Sequence, residues 1–145
     1  MAAPNTSPIY SGRGDVSNNS GTGCNQLVTA AAADYTGISA NNSLTFTADA
    51  TNGSYVQRIR LKAGGTNVAS VVRFYLNNGS TPTTATNNIF YGEISLPATT
   101  ANAAAATIDV DYPLDFVLPA GWRIYMGLGT AVAAGWVATV VAGRY

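Results

Sequence analysis

From residue 55 to residue 63 the side chains alternate. Tyr55, Gln57, Ile59, Leu61 and Ala63 fall in one register, and Val56, Arg58, Arg60 and Lys62 in the other. A period of two is that of a β-strand with one apolar and one polar face. Wound as a helix, the same residues would scatter both sets around the surface. The pattern recurs along the chain. Residues 43–48 alternate Leu44, Phe46 and Ala48 against Thr45 and Thr47, and residues 107–112 alternate Ile108, Val110 and Tyr112 against Asp109 and Asp111. Residues 68–76, 88–96, 114–118, 123–128 and 136–141 are short runs rich in β-branched and aromatic residues, which favour strands. Residues 27–33 read as a strand or a short helix, the alanines leaving both open.

Turn chemistry separates these runs. Asn77-Asn78-Gly79-Ser80 and Pro119-Ala120-Gly121 are turns, because Asn and Gly tolerate a positive φ and Pro presets its own. The Ala-rich stretch 99–107 lacks a repeating large apolar residue and reads as a loop. No apolar stripe of helical period and useful length is present. About eight short strands spaced by turns predict an all-β domain, a jelly-roll-like β-sandwich, with a seven-stranded immunoglobulin-like sandwich as the runner-up. A single cysteine, Cys24, forbids an intrachain disulfide, so the sandwich has to stand on packing alone.

Residues 1–26 differ from the rest. Pro4, Pro8 and four glycines lie among Ser and Asn, with Ile9 and Tyr10 the one small apolar step. This composition predicts an extended N-terminal arm over 1–26, either disordered in isolation or ordered by lying on a neighbouring subunit, ahead of a sandwich domain over 27–145. The N-terminus has neither the basic nor the apolar region of a signal peptide, and no run approaches the roughly 18 apolar residues of a membrane span.

Catalytic chemistry has little to work with. The chain contains no histidine, which removes the commonest general base and metal ligand. Cys24 sits among Gly and Asn with no base beside it to form a thiolate. Asp109 and Asp111 point the same way from one strand. They read as a solvated face, with a calcium site or an acid pair lying over Arg58, Arg60 and Lys62 as sharper alternatives. Arg13-Gly14-Asp15 matches a cell-adhesion tripeptide, a match short enough for chance. Seven basic and seven acidic residues give zero net charge and no basic surface for nucleic acid. Charged residues make up only 10% of the chain, so its exterior costs little to desolvate against a partner. Tyr91, Tyr112, Trp122, Tyr125 and Trp136 are residues that can line a sugar-stacking row, or fill the core. On the first reading the chain is a carbohydrate-binding module of a phage fibre or secreted protein.

A resemblance points elsewhere. The segments Leu118-Pro119-Ala120-Gly121-Trp122-Arg123-Ile124-Tyr125, Gly129-Thr130-Ala131-Val132-Ala133-Ala134-Gly135-Trp136 and Ala142-Gly143-Arg144-Tyr145, with the strands at 55–63 and 72–79, cover about half the chain. Together they resemble the small tailed-phage capsid decoration, or cement, proteins. The resemblance implies a non-enzymatic jelly roll without cofactors that assembles as a homo-oligomer, dimer or trimer. Such a protein sits on the virion surface, is assembled in the host cytoplasm, and cements neighbouring major capsid protein subunits, binding neither nucleic acid nor membrane. The residues expected to meet a partner are Ile9, Tyr10 and Arg13 on the arm, with Trp122, Trp136 and Tyr145 near strand ends.

Overall fold

The structure, a computed structural model, describes residues 13–17, 27–32 and 34–145, the first of these segments as backbone alone. Its strands are β1 (Arg13–Ser17), β2 (Leu27–Val28), β3 (Ser43–Thr47), β4 (Ser54–Ala63), β5 (Ser70–Asn77), β6 (Asn88–Leu96), β7 (Asp109–Leu118), β8 (Arg123–Leu128) and β9 (Trp136–Arg144). One 3-10 turn, Ala85–Asn87, precedes β6.

Two antiparallel sheets result. One runs β1-β9-β4-β7, with β2 also on β9; the other runs β3-β8-β5-β6. The registers show that β1 and β2 share one position. Arg13 to Ser17 run opposite Arg144 to Val140, and Leu27 and Val28 continue in the same direction opposite Val137 and Trp136. Counted this way the strands fill eight positions, and the sheets read 1-8-3-6 and 2-7-4-5. The pairs 1:8, 2:7, 3:6 and 4:5 are those of a long hairpin folded over on itself, which is the jelly roll.

β1 lies inside the segment expected to be a free arm, yet its backbone is built into the chain's own sheet. Of the run expected at 27–33, the described residues 27–32 are neither one strand nor a helix: Leu27 and Val28 pair as β2 and Ala31 makes an isolated bridge to Leu128. The runs at 107–112 and 114–118 are one strand. Pro113 does not break it because β7 is the outermost described strand of its sheet, where a missing donor is tolerated. β9 continues past Val141 to Arg144.

The core lies between the sheets. Val56, Ile59 and Leu61 of β4 meet Val72, Phe74 and Leu76 of β5, Ile124, Met126 and Leu128 of β8, and Trp136, Ala138 and Val140 of β9. Each large side chain buried here contributes about 1.5–3 kcal/mol. The alternation of β4 is broken once. The register shifts between Val56 and Arg58, so Gln57 is an extra residue relative to β9. Val56 therefore joins the core with Ile59, and Tyr55 turns outward with Arg58, contrary to the strict period of two.

The outer face of the β3-β8-β5-β6 sheet is also covered. Residues 31–32 and 34–42 form a strap across it. Ala32 N–H donates to the Leu128 carbonyl at 2.6 Å. Tyr75 Oη donates to the Asp34 carbonyl at 2.5 Å. The Asp34 carboxylate accepts from the main-chain N–H groups of Thr36, Gly37 and Ser39, which fixes the turn. Arg73, Tyr75, Asn77 and Tyr125, although on the outer side, are buried beneath or beside the strap.

Candidate interaction surface

Three parts of the surface differ in kind. The outer face of the β1-β9-β4-β7 sheet collects six of the fourteen charged residues of the chain. Lys62 stands opposite Asp109, and Arg60 opposite Asp111, across the β4–β7 register. Arg60 and Lys62 both pair with Asp109, the lysine at 2.8 Å, while Arg58 lies 3.9 Å from Asp111. Tyr55 Oη donates to Asp115 at 3.1 Å. Hydrogen bonds from Lys62 and Arg60 hold the Asp109 carboxyl below its ordinary range, and the bond to Asp115 raises the Tyr55 phenol. The acid pair thus lies over the basic strand face. Among the described residues no group of three or more His, Cys, Asp or Glu side chains is gathered to hold a metal ion.

The second part is the sealed face beneath the strap. Arg73 is bound through Nε to Glu93 at 3.1 Å and through Nη2 to Tyr35 Oη at 3.1 Å, and its guanidinium lies 4.2 Å from the centre of the Tyr35 ring. Burial, with the Asp34 charge nearby, pushes the Tyr75 phenol up to about 12.

The third part is the side where β6 and β7 meet. β6 ends one sheet and β7 the other, and no described strand pairs with the outer edge of either. Aromatic rings bridge them. Tyr91 lies 5.4 Å from Phe116 and 6.5 Å from Tyr112, and Tyr112 stacks on Phe74 at 4.5 Å. Gly92 makes room for this seam, since a Cβ there would stand 2.1 Å from Tyr112 Oη. Burial, with Tyr91 beside it, raises the Tyr112 phenol. Ile89 (51% exposed), Tyr91 (40%) and Val117 (54%) leave apolar surface open on these two strands. Phe46, Phe74, Tyr75 and Trp136 are fully buried, whereas these side chains offer apolar surface that is easily withdrawn from water.

The expected partner residues are dispersed. Ile9 and Tyr10 lie outside the described residues, as does Cys24. Arg13 is described through its backbone, opposite Arg144. The Arg13-Gly14-Asp15 tripeptide is thus part of a strand rather than a loop tip. Trp136 corrects the expectation directly: it is 0% exposed, because the β9 alternation that places Ala138 and Val140 inside places Trp136 there too. Trp122 packs partly against the core, and the Tyr145 carbonyl accepts a bond from Asn52 Nδ2 at 3.4 Å. The sugar-stacking row does not form either. Trp136 is in the core and Tyr125 is buried on the outer side of the opposite sheet. Of that set, Tyr91 and Tyr112 do come together. Phe116, Gly92 and Val117 were missed; the run 114–118 offered a signal, with Phe116 in step with Tyr112 once Pro113 is read as part of the strand.

The fold and this side define a jelly-roll β-sandwich in which two edges that no described strand covers are joined by an aromatic seam. No family model, curated protein or solved structure matches the chain.

Proposed function

We propose that this chain is a structural virion protein of the decoration or cement type, which binds the outer surface of a phage capsid and clamps neighbouring major capsid subunits. It works as a dimer or trimer, without catalysis, cofactor, nucleic acid or membrane. The observation that carries this reading is the aromatic seam of the β6–β7 side, where Tyr91, Tyr112 and Phe116 meet and Ile89, Tyr91 and Val117 stay exposed. Two of the aspartates of β7, Asp109 and Asp111, are met by Arg58, Arg60 and Lys62 on the adjoining sheet face. The seam docks by withdrawing apolar surface from water, so its contacts resist salt. The jelly roll supports the reading as a fold common among capsid proteins. The resemblance of residues 118–125, 129–136 and 142–145, with 55–63 and 72–79, to decoration proteins supports it further.

Capsids of the encoding phage, prepared without this protein, provide the test. The purified full chain is expected to bind them to saturation at a fixed ratio to the major capsid subunit. Binding should persist in about 0.5 M salt, where screening extends over only a few ångströms. Tyr91→Ala and Val117→Asp should weaken it. Absence of saturable capsid binding would refute the proposal, and a glycan array that lights up instead would move the chain to the carbohydrate-binding class.

A further inference from the structure

An edge strand that is long, apolar and regular invites another chain to extend the sheet. β7 has the length and the apolar exposure for this, but not the regularity. Pro113, at its middle, supplies no N–H. Two residues later Asp115 has φ +51°, the one described non-glycine residue with positive φ, which turns the backbone out of the extended line. Between the pairs Val56–Phe116 and Arg58–Pro113, Leu114 and Asp115 face Gln57 alone, so the strand is also bulged there. Its outward side chains include Asp109, Asp111 and Asp115 at alternate positions. An antiparallel pairing of two β7 strands centred on Pro113 would set Asp111 against Asp115. Centred on Tyr112 it would set Asp109 against Asp115, and centred on Asp111 it would set that residue against its own copy. Like charges directly opposite destabilise a strand pair. The neighbouring edge is interrupted as well: the register of β6 shifts at Tyr91, between Phe90 and Gly92.

We infer that β7 is a guarded edge. Pro113, the left-handed Asp115 and the outward aspartates bar a second copy of this chain from extending the sheet there, so that copies meet this side through side chains rather than main-chain hydrogen bonds. The block acts in any assembly the chain enters, on a capsid or off it.

The test removes two guards from the full chain with Pro113→Thr and Asp111→Thr together. Folding is checked by cooperative melting. Size against concentration is followed by light scattering after gel filtration. The variant is expected to form species larger than the wild type at concentrations lower by roughly tenfold or more, as an unprotected edge would. The same size distribution as wild type overturns the inference. If the double variant does not fold, amide hydrogen exchange on the assembled wild-type protein decides. The β7 amides that give no hydrogen bond to β4 are expected to exchange as freely as in the dilute protein, and their protection on assembly overturns the inference. Neither readout uses capsids, so failure here is distinct from failure of capsid binding.

Discussion

Asn67 holds together one end of the sandwich. It is 4% exposed, and its side-chain Oδ1 accepts from Ala134 N–H and Gly135 N–H, each at 2.9 Å, while Nδ2 donates to the Gly135 carbonyl at 3.0 Å. Its main chain exchanges hydrogen bonds with Thr99. Three loops therefore meet at one residue. Asn67→Ala strands several buried polar groups and is expected to cost about 3 kcal/mol, a drop of roughly 10 °C in Tm by calorimetry. Tyr75 makes a second residue-scale prediction. Its phenol titrates at about 12 in the fold against an ordinary value of 10.0, so the folded state holds the proton more tightly. The stability this provides is complete below pH 10 and is lost as pH rises from there toward 12. Melts across that range should show Tm falling in wild type and falling less in Tyr75→Phe. Neither residue stands out in the sequence: Asn67 is one of many asparagines, and Tyr75 belongs to an apolar run whose two faces look alike.

The β4–β7 pair shows what an element contributes. Its ion pairs are exposed and individually weak. Because Asp109 is held below its ordinary value, the pairs contribute fully above the unfolded carboxyl value of about 3.9 and are lost as pH falls through the lower folded value. Thermal melts should therefore show a modest loss of Tm on going from pH 7 to pH 3, with Asp109→Asn losing less over that interval. This face was legible in advance, since alternation sets Arg58, Arg60 and Lys62 on one side and Asp109 and Asp111 on another strand. The bulge at Gln57 was not legible, because one inserted residue changes no local preference and shows only in the register with β9. The seam depends on Gly92. Gly92→Ala should displace Tyr112 from its stack on Phe74, seen as a changed near-ultraviolet circular dichroism signal and a Tm lower by several degrees, from about 1–3 kcal/mol of overpacking.

For the whole molecule, the division between arm and sandwich is set by strand pairing. β1 and β2 supply the main-chain partners along one edge of β9. Removing residues 1–12 leaves those partners in place and is expected to leave Tm unchanged. Removing 1–26 takes β1 away and is expected to lower Tm and promote aggregation, as an uncovered central strand becomes an edge. Equal melting of the two truncated chains would show that β1 adds nothing to the fold. Composition alone, reading proline, glycine and serine as linker, placed the boundary at 26, since a strand that pairs with the far end of the chain leaves no mark in its own neighbourhood.

What the sequence by itself determined was the class: alternation, turn residues and the want of a helical stripe are local, and they suffice for an all-β sandwich of short strands with a charged face on β4. The tertiary structure alone decided which strands are neighbours, that Trp136 is core while Tyr91 and Phe116 meet at the surface, and that two edges covered by no described strand lie side by side. Pairings such as Arg13 with Arg144 join residues from opposite ends of the chain, and local periodicity carries no information about such partners. The side of the molecule proposed to dock exists only because that topology ends both sheets at the same place.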